Sequence, residues 1–420
     1  MRDESIDYGR PKRRSQNGWL VLLMLAVVVA SGWFGWQQLQ GKPTKAASGA
    51  STQKGQTPPS RPKNLYPDRI RLIAAGDFLP HDAVNRAAQK PDGSYDYLPL
   101  MESFVPIFGA ADIRFCNLSA VTGGAPFGIS GYPKFNGPTE FSRDMGRLGC
   151  NLVNTGTNHS FDRNQDAINV TLDTWAKVPN MLAVAGQNRS SEEQQQVHYF
   201  AVKGVRFAFI AYTTYINTDA PVQDIYGVNV YSRKFAARQI AAAKANGAQI
   251  VIASMRWGTE YSPAVTAYQT SEARFLADQG VNLIIGHGTH VLQPVTKVTG
   301  ASGNETLVWY GIGNFLTSQD AQETMFNGLP IVDFDKTTFK ITNIAFLPIY
   351  MHYEWTPAQR AASDYLSRHN LKMYLLDDAT QTMIDAQQFK TTVAKQRQRL
   401  QDVLDTNLPV PMITAKQYYQ

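Results

Sequence analysis

The stretch VNLIIGHGTHVLQP, residues 281–294, decides how the chain is read. An apolar run leads straight into His287 and His290, with Gly286 and Gly288 beside them. A continuous apolar segment of this length suits a strand covered on both faces. Two imidazoles three residues apart, just past its end, can share one ligand.

Similar runs recur from Arg69 onward, many ending in a polar cluster: RIRLIAAGD, DIRFCNLS, CNLVNTGTNH, VRFAFIAYTTY, QIVIASMRWG and LVWYGIGN. Helical patterns lie between them. PTEFSRDMGRLG stops at Gly149, SFDRNQDAINVTLDTWAKV offers Ser160 as an N-cap, and SRKFAARQIAAAKANG and SPAVTAYQTSEARFLADQG both close on glycine. The alternation predicts an α/β domain. In such sheets ligands bind beyond the carboxyl ends of the strands, so Asp77, Asn117, Asn158, His159, Arg256, His287 and His290 fall on one expected rim. Any one Asn or Asp there would pass as a turn residue; seven rim residues together are harder to dismiss. Trp257 and Tyr261 are placed to line the site or simply to pack, and His81 follows Asp77 in the same loop. His198, His352 and His369 have weaker claims. No solenoid repeat, P-loop or dinucleotide fingerprint is present.

The 420 residues carry a net charge of +6, and no block of Lys and Arg interleaved with aromatics suggests a nucleic-acid surface. Part of the basic excess sits in RPKRR, residues 10–14, directly before the uncharged stretch WLVLLMLAVVVASGWFGW, residues 19–36. That stretch has about the minimum length for a membrane-crossing helix, and the basic cluster places its amino-terminal side in the cytoplasm. A cleaved signal peptide is the competing reading, because Val28 and Ala30 before Ser31 resemble a cleavage site. The apolar run continues through Trp33, Phe34 and Trp36, which favours the anchor. The expected order is a cytoplasmic tail over 1–18, a single-pass anchor over 19–36, a disordered Gly/Ser/Thr/Pro-rich tether over 37–66, a folded domain over 67–352 and a helical extension over 353–420. Within that extension, Thr356 and Pro357 start one helix, and MIDAQQFKTTVAKQRQRLQDVLDT forms another. The domain is then extracellular, or secreted if the segment is cleaved. The two cysteines, Cys116 and Cys150, lie in apolar runs and are expected as buried free thiols, although an exported location permits them to pair.

The ordered set GDFLPHDAV, NLSAVTGG, NTGTNHSFD, RWGTEY, GHGTHVLQP and YGIGNFL resembles the CapA family of poly-γ-glutamate capsule synthesis proteins, also known as PgsA, over residues 69–351. The resemblance implies a calcineurin-like metallophosphatase fold: a four-layer sandwich of two facing mixed β-sheets flanked by helices, with a two-metal centre at one rim. It implies Asp77, Asn158, His287 and His290 as metal ligands and His159 as the catalytic acid. Asn117, Arg256, Glu260 and Asn314 are expected to contact substrate. Oxygen and imidazole donors of these types suit Mn, Fe, Zn or Mg.

Three departures from the family pattern bear on chemistry. Ser119 stands where the family commonly has glutamate, Arg256 where it has histidine, and Gly288 where the second histidine of G-H-H-P-H is expected. A guanidinium cannot ligate metal, and a fixed cation among the donors repels one. Arg256 is either held aside by nearby Glu260 or faces the rim, where its planar fork suits a carboxylate or phosphate. The expectation is therefore one divalent ion or none. Two functions follow as alternatives. One is a membrane-anchored component of the synthesis or export of poly-γ-glutamate or a similar anionic polymer, partnered by the membrane and by polymer-synthesising subunits, with catalysis impaired. The other is an active metal-dependent phosphoesterase or amidase. No nucleic-acid partner is expected.

Overall fold

The computed structural model describes residues 66–218 and 225–420. The predicted basic tail, the anchor over 19–36 and the tether up to residue 65 lie outside the described residues. Among those described, no helix is long and apolar enough to cross a membrane.

Fourteen strands follow one another among the described residues: β1 (Arg69–Phe78), β2 (Ile113–Leu118), β3 (Leu152–Asn154), β4 (Ala183–Ala185), β5 (His198–Val202), β6 (Val205–Thr213), β7 (Ile250–Arg256), β8 (Leu283–His287), β9 (Val295–Thr299), β10 (Glu305–Trp309), β11 (Asn314–Leu316), β12 (Phe326–Asp335), β13 (Ile341–Glu354) and β14 (His369–Leu375). They form two mixed sheets. The first runs β14-β13-β12-β1-β2-β3-β4, with β11 also paired to β1, and the second runs β5-β6-β7-β8-β10-β9. Strands β1 to β4 run parallel to one another, as do β6, β7, β8 and β10, while β12, β13 and β14 add antiparallel strands to one side of β1 and β5 and β9 are antiparallel edge strands of the second sheet.

All seven apolar runs became strands, and their side chains show why continuous hydrophobicity was needed. Along β6 and β7, Phe207, Phe209, Ile250 and Ile252 enter the core shared with the first sheet. The alternate residues Ala208, Ile210, Val251 and Ala253 pack outward against Phe235, Ile240, Ala273 and Leu276. Those four belong to the helices Arg233–Ala245 and Ala267–Asp278, so both faces of the strands are covered. Ring contacts join the two sheets: Phe115 to Phe209 at 6.2 Å, Phe207 to Phe334 at 5.8 Å and Trp309 to Phe346 at 6.1 Å.

Several local expectations need correction. The helix expected from Ser160 begins at Gln165 and is capped by Asn164, whose side chain accepts from Ala167 N. Ser160 Oγ is used elsewhere, accepting from Thr157 N at 2.7 Å and donating to Thr155 O, which shapes the loop carrying Asn158 and His159. The last predicted helix is two, Gln381–Ala386 and Val393–Leu404, because Thr392 caps a fresh start. Within the segment read as helical lies β14, a full partner of β13. Tyr66, expected at the end of a disordered tether, is buried and donates from its hydroxyl to Tyr418 O at 2.6 Å. Arg71 also donates to Tyr418 O, at 2.7 Å, and grips Asp333 through Nε and Nη2 at 2.8 and 2.9 Å. The carboxyl-terminal residues are thus bonded to the start of β1.

The cysteines are not free thiols: Cys116 and Cys150 form a disulfide, with Cα atoms 5.8 Å apart. The cause is strand order. Cys116 lies in β2, Cys150 comes two residues before β3, and these strands are adjacent, with Phe115 opposite Leu152. Closing a loop of 34 residues' separation restricts the unfolded chain, worth about 4 kcal/mol. Replacing both cysteines by alanine is expected to lower stability by roughly that amount in denaturant titration; an unchanged midpoint would show the bridge to be energetically silent.

Candidate functional site

The rim residues converge at the carboxyl ends of parallel strands from both sheets. Asp77 and Asn117 end β1 and β2, Arg256 and His287 end β7 and β8, and Asn158, His159 and His290 lie in the loops just beyond β3 and β8. Asn314 opens β11, opposite Asp77. The approach of β1 to the segment before β11 depends on Gly76, where a Cβ would lie 1.9 Å from Gly313 O. That contact allows Asp77 N to donate to Gly313 O at 3.0 Å.

Asp77 is the centre. It is 1% exposed, and both carboxylate oxygens are engaged. Oδ1 accepts from Asn117 Nδ2 at 2.5 Å and Ser119 Oγ at 3.0 Å, and Oδ2 accepts from His290 Nδ1 at 2.9 Å. Burial alone would push the carboxyl up, but the bond and charge of His290, the charge of His287 and the Ser119 bond outweigh it and hold Asp77 below its ordinary value. For His290 burial acts downward, yet the same Asp77 bond and charge leave it raised. Its Nδ1 faces two acceptors, Asp77 and Asn314 Oδ1 at 3.0 Å, so this nitrogen carries the proton and only Nε2 remains for a ligand. His287 is pushed down to about 3 by burial, against the pull of Asp77 and helped by the charges of Arg256 and His290. Its Nε2 meets Ser254 Oγ at 2.9 Å, while Nδ1 is buried without a partner, 4.0 Å from Asp77 Oδ1.

Arg256 is 1% exposed and does both things the sequence allowed. It pairs with Glu260 through Nη2, and it faces the rim, with Nε donating to Asn158 Oδ1 at 3.1 Å. Tyr215 covers the guanidinium, its ring centroid 4.3 Å from Cζ, and Nη1 has no hydrogen-bond partner. Gly288 explains how so large a side chain fits. Its φ is +87°, and a Cβ there would lie 2.7 Å from Arg256 Nε and 2.8 Å from Cγ. Histidine at 288 and arginine at 256 therefore exclude one another, which makes two of the three sequence departures a single coupled change.

A second group lies beside this one. His159 Nδ1 bonds Asp162 Oδ2 at 2.6 Å, with Asn217 Nδ2 at 3.2 Å, leaving Nε2 as the nitrogen open to a ligand. Phe135 packs edge-on against it at 4.6 Å and against His81 at 5.3 Å. His81 accepts from Ser318 N at 3.3 Å, and burial with the nearby charges of His290, Arg368 and His159 pushes it down to about 3. Tyr261 is half exposed with its ring 5.7 Å from His290, whereas Trp257 is buried and donates to Tyr310 O at 2.7 Å, a packing role. His352 and His369 sit apart, sharing Glu354 where β13 and β14 pair, and His198 opens β5. Sequence reading missed Asn154, which donates to Asn117 Oδ1, as well as Ser254, Asp162 and Tyr215. Asn154 and Asp162 stood in the quoted motifs but had no assigned role.

A profile described as "Bacterial capsule synthesis protein PGA_cap" matches residues 71–319, more than half the chain. The chain belongs to this family. As a member of the capsule synthesis family it is 29% identical over 211 residues to the PGA biosynthesis protein CapA of Bacillus subtilis (strain 168), covering 49% of this chain and 52% of that protein. It is 24% identical over 185 residues to the capsule biosynthesis protein CapA of Bacillus anthracis, covering 43% of each. The matches span about half the length of these relatives. Among solved structures it is similar to a 5'-nucleotidase precursor from Thermus thermophilus, with TM-score 0.39, 15% identity and coverage of 71% of this chain and 58% of that one. The calcineurin-like phosphoesterase YfkN from Bacillus subtilis gives TM-score 0.37, 15% identity and coverage of 65% and 87%.

The donor set does not fit a dinuclear metal centre. Among the described residues no group of three or more His, Cys, Asp and Glu is arranged to hold a metal ion. Asp77 spends its oxygens on Asn117, Ser119 and His290, Asn158 turns its oxygen to Arg256, and a permanent cation stands close enough for its charge to act downward on both imidazoles, although Asp77 keeps His290 raised. The coupling of 256 to 288 is testable by a double-mutant cycle. Gly288→His alone is expected to destabilise the protein by about 2–4 kcal/mol, from left-handed strain plus overpacking. Adding Arg256→His should recover about 1–2 kcal/mol of it; strict additivity in denaturant titrations would separate the two positions.

Proposed function

We propose that this capsule-family protein is anchored to the cell membrane by residues 19–36 and acts outside the cell on poly-γ-glutamate or a similar anionic polymer, alongside membrane-bound polymer-synthesising subunits. The rim binds polymer carboxylates, and its hydrolytic power is impaired. Arg256 carries this reading. A desolvated guanidinium, fixed on Asn158 and Tyr215 and holding one unpartnered nitrogen, is an anion receptor by chemistry and by position. His290, raised above its ordinary value, adds positive charge nearby. Capsule biosynthesis is the role named for the curated relatives, and the Cys116–Cys150 bridge suits an oxidising, exported location.

Hydrolysis of a phosphoester or amide is the second reading, favoured by the His159–Asp162 pair. A carboxylate that fixes the imidazole tautomer and leaves Nε2 open is an arrangement suited to general acid catalysis. On that reading His159→Ala lowers kcat by about 100-fold or more.

Two measurements separate the readings. Elemental analysis of the purified protein is expected to find fewer than two tightly bound divalent ions per chain, whereas two would restore the hydrolase. Polyglutamate binding is expected to weaken by about tenfold or more in Arg256→Ala, from the loss of a charge-assisted contact; equal affinity would remove the arginine from the site.

A further inference from the structure

We infer that Glu260 is an internal occupant of the carboxylate site, and that a ligand binds by exchanging its own carboxylate for that of Glu260. This rests on the carboxylate-binding reading of Arg256 and goes beyond it by assigning Glu260 a competing role rather than a ligand-holding one.

The geometry of the pair is one-pronged. A guanidinium and a carboxylate frequently meet through two parallel bonds. Here only Glu260 Oε1 is engaged, by Arg256 Nη2 and by the Tyr215 hydroxyl at 3.4 Å, and the second edge nitrogen, Nη1, is left buried and unsatisfied. An unsatisfied buried donor on a charged group is costly, and nothing in the pair itself removes that cost. Incoming carboxylate oxygens at Nη1 and Nη2 would satisfy both donors.

Access agrees with exchange. Arg256 itself is 1% exposed, while its Glu260 partner is 36% exposed, so with Tyr215 stacked on the guanidinium face the glutamate is the solvent-reaching group on its hydrogen-bonding edge. It lies in a loop rather than a regular element, beside Tyr261, whose φ of 63° is a left-handed conformation unusual for a non-glycine residue. The inner side of the guanidinium is fixed independently, on Asn158 and against the Gly288 backbone, so departure of Glu260 does not free the arginine.

Charge balance specifies the ligand class. Swapping one carboxylate for another leaves the charge around Arg256 unchanged, with Asp77 already paired to His290. A phosphate dianion would bring an extra negative charge to the same pocket. The site therefore selects monoanionic carboxylates, such as those spaced along a polyglutamate chain, over phosphorylated ligands.

The test compares the full-length chain with Glu260→Gln and, as a control for simple charge removal, Asp320→Asn. Asp320 is an exposed carboxylate whose charge is felt at Tyr261 and which bonds the Tyr365 hydroxyl rather than Arg256. Polyglutamate and, as the dianionic competitor, a phosphomonoester serve as probes, and unfolding midpoints confirm that each variant is folded. Glu260→Gln is expected to bind polyglutamate about tenfold more tightly than the unmodified chain, and Asp320→Asn less than about threefold more tightly. Equal tightening in the two variants reduces the effect to general electrostatics and overturns the exchange. Unchanged polyglutamate affinity in Glu260→Gln, with Arg256→Ala still abolishing binding, overturns the exchange while sparing the receptor role of Arg256. Failure of both the unmodified chain and Glu260→Gln to bind polyglutamate overturns both. Preference of the unmodified chain for the phosphomonoester over polyglutamate would reject the assigned ligand class.

Discussion

A buried carboxylate at the junction of two sheets organises everything around it. Asp77 belongs to the first sheet, whereas His287 ends a strand of the second and His290 lies in the loop that follows it, so the Asp77–His290 bond ties the two sheets at the rim alongside the Arg256–Asn158 bond. A charge 1% exposed is tolerable only if its hydrogen-bonding capacity is met, and Asn117, Ser119 and His290 meet it. Each of those partners is held in turn: Asn117 by Asn154, Ser119 by Asn117 and His290 by Asn314. Removal of one partner would strand charge in the interior, a loss of several kcal/mol in comparable buried pairs.

Arg256 changes what that arrangement can do. In a site meant for cations, imidazole and carboxylate donors keep their lone pairs directed at open space. Here Asp77 and Asn158 have turned their oxygens onto amide, hydroxyl, imidazole and guanidinium donors, and the buried atoms left without a hydrogen-bond partner include both His287 Nδ1 and Arg256 Nη1. On the function proposed above, that guanidinium tips the pocket toward anions. Ser119 fits the same pattern, since a hydroxyl donates to Asp77 where a carboxylate would repel it.

Much of this was legible in the sequence. The site residues stand where apolar runs stop, and strands buried on both faces advertise themselves by continuous hydrophobicity, so Asp77, Asn117, Arg256 and His287 could be placed at strand ends before any coordinates. The antiparallel half of the first sheet was less visible. Pro330 lies inside β12 and Pro348 inside β13, and proline within a run argues against a central strand. The disulfide was hidden because neighbours across a sheet follow from strand order, not from the 34 residues between the cysteines. Whether Arg256 faced Glu260 or the rim could not be settled from i and i+4 spacing; only the backbone at Gly288 shows that there is room for both.

The ten residues of β1 connect two poles of the domain. At one end Arg71 and Tyr66 bind the carboxyl-terminal residues around Tyr418, and at the other end Asp77 holds the rim. A strand of that length extends about 30 Å. Tyr66, where the described residues begin, therefore stands at the opposite pole from Asp77. On the function proposed above, an extended ligand at the rim would lie a full strand's length from the Tyr66 end.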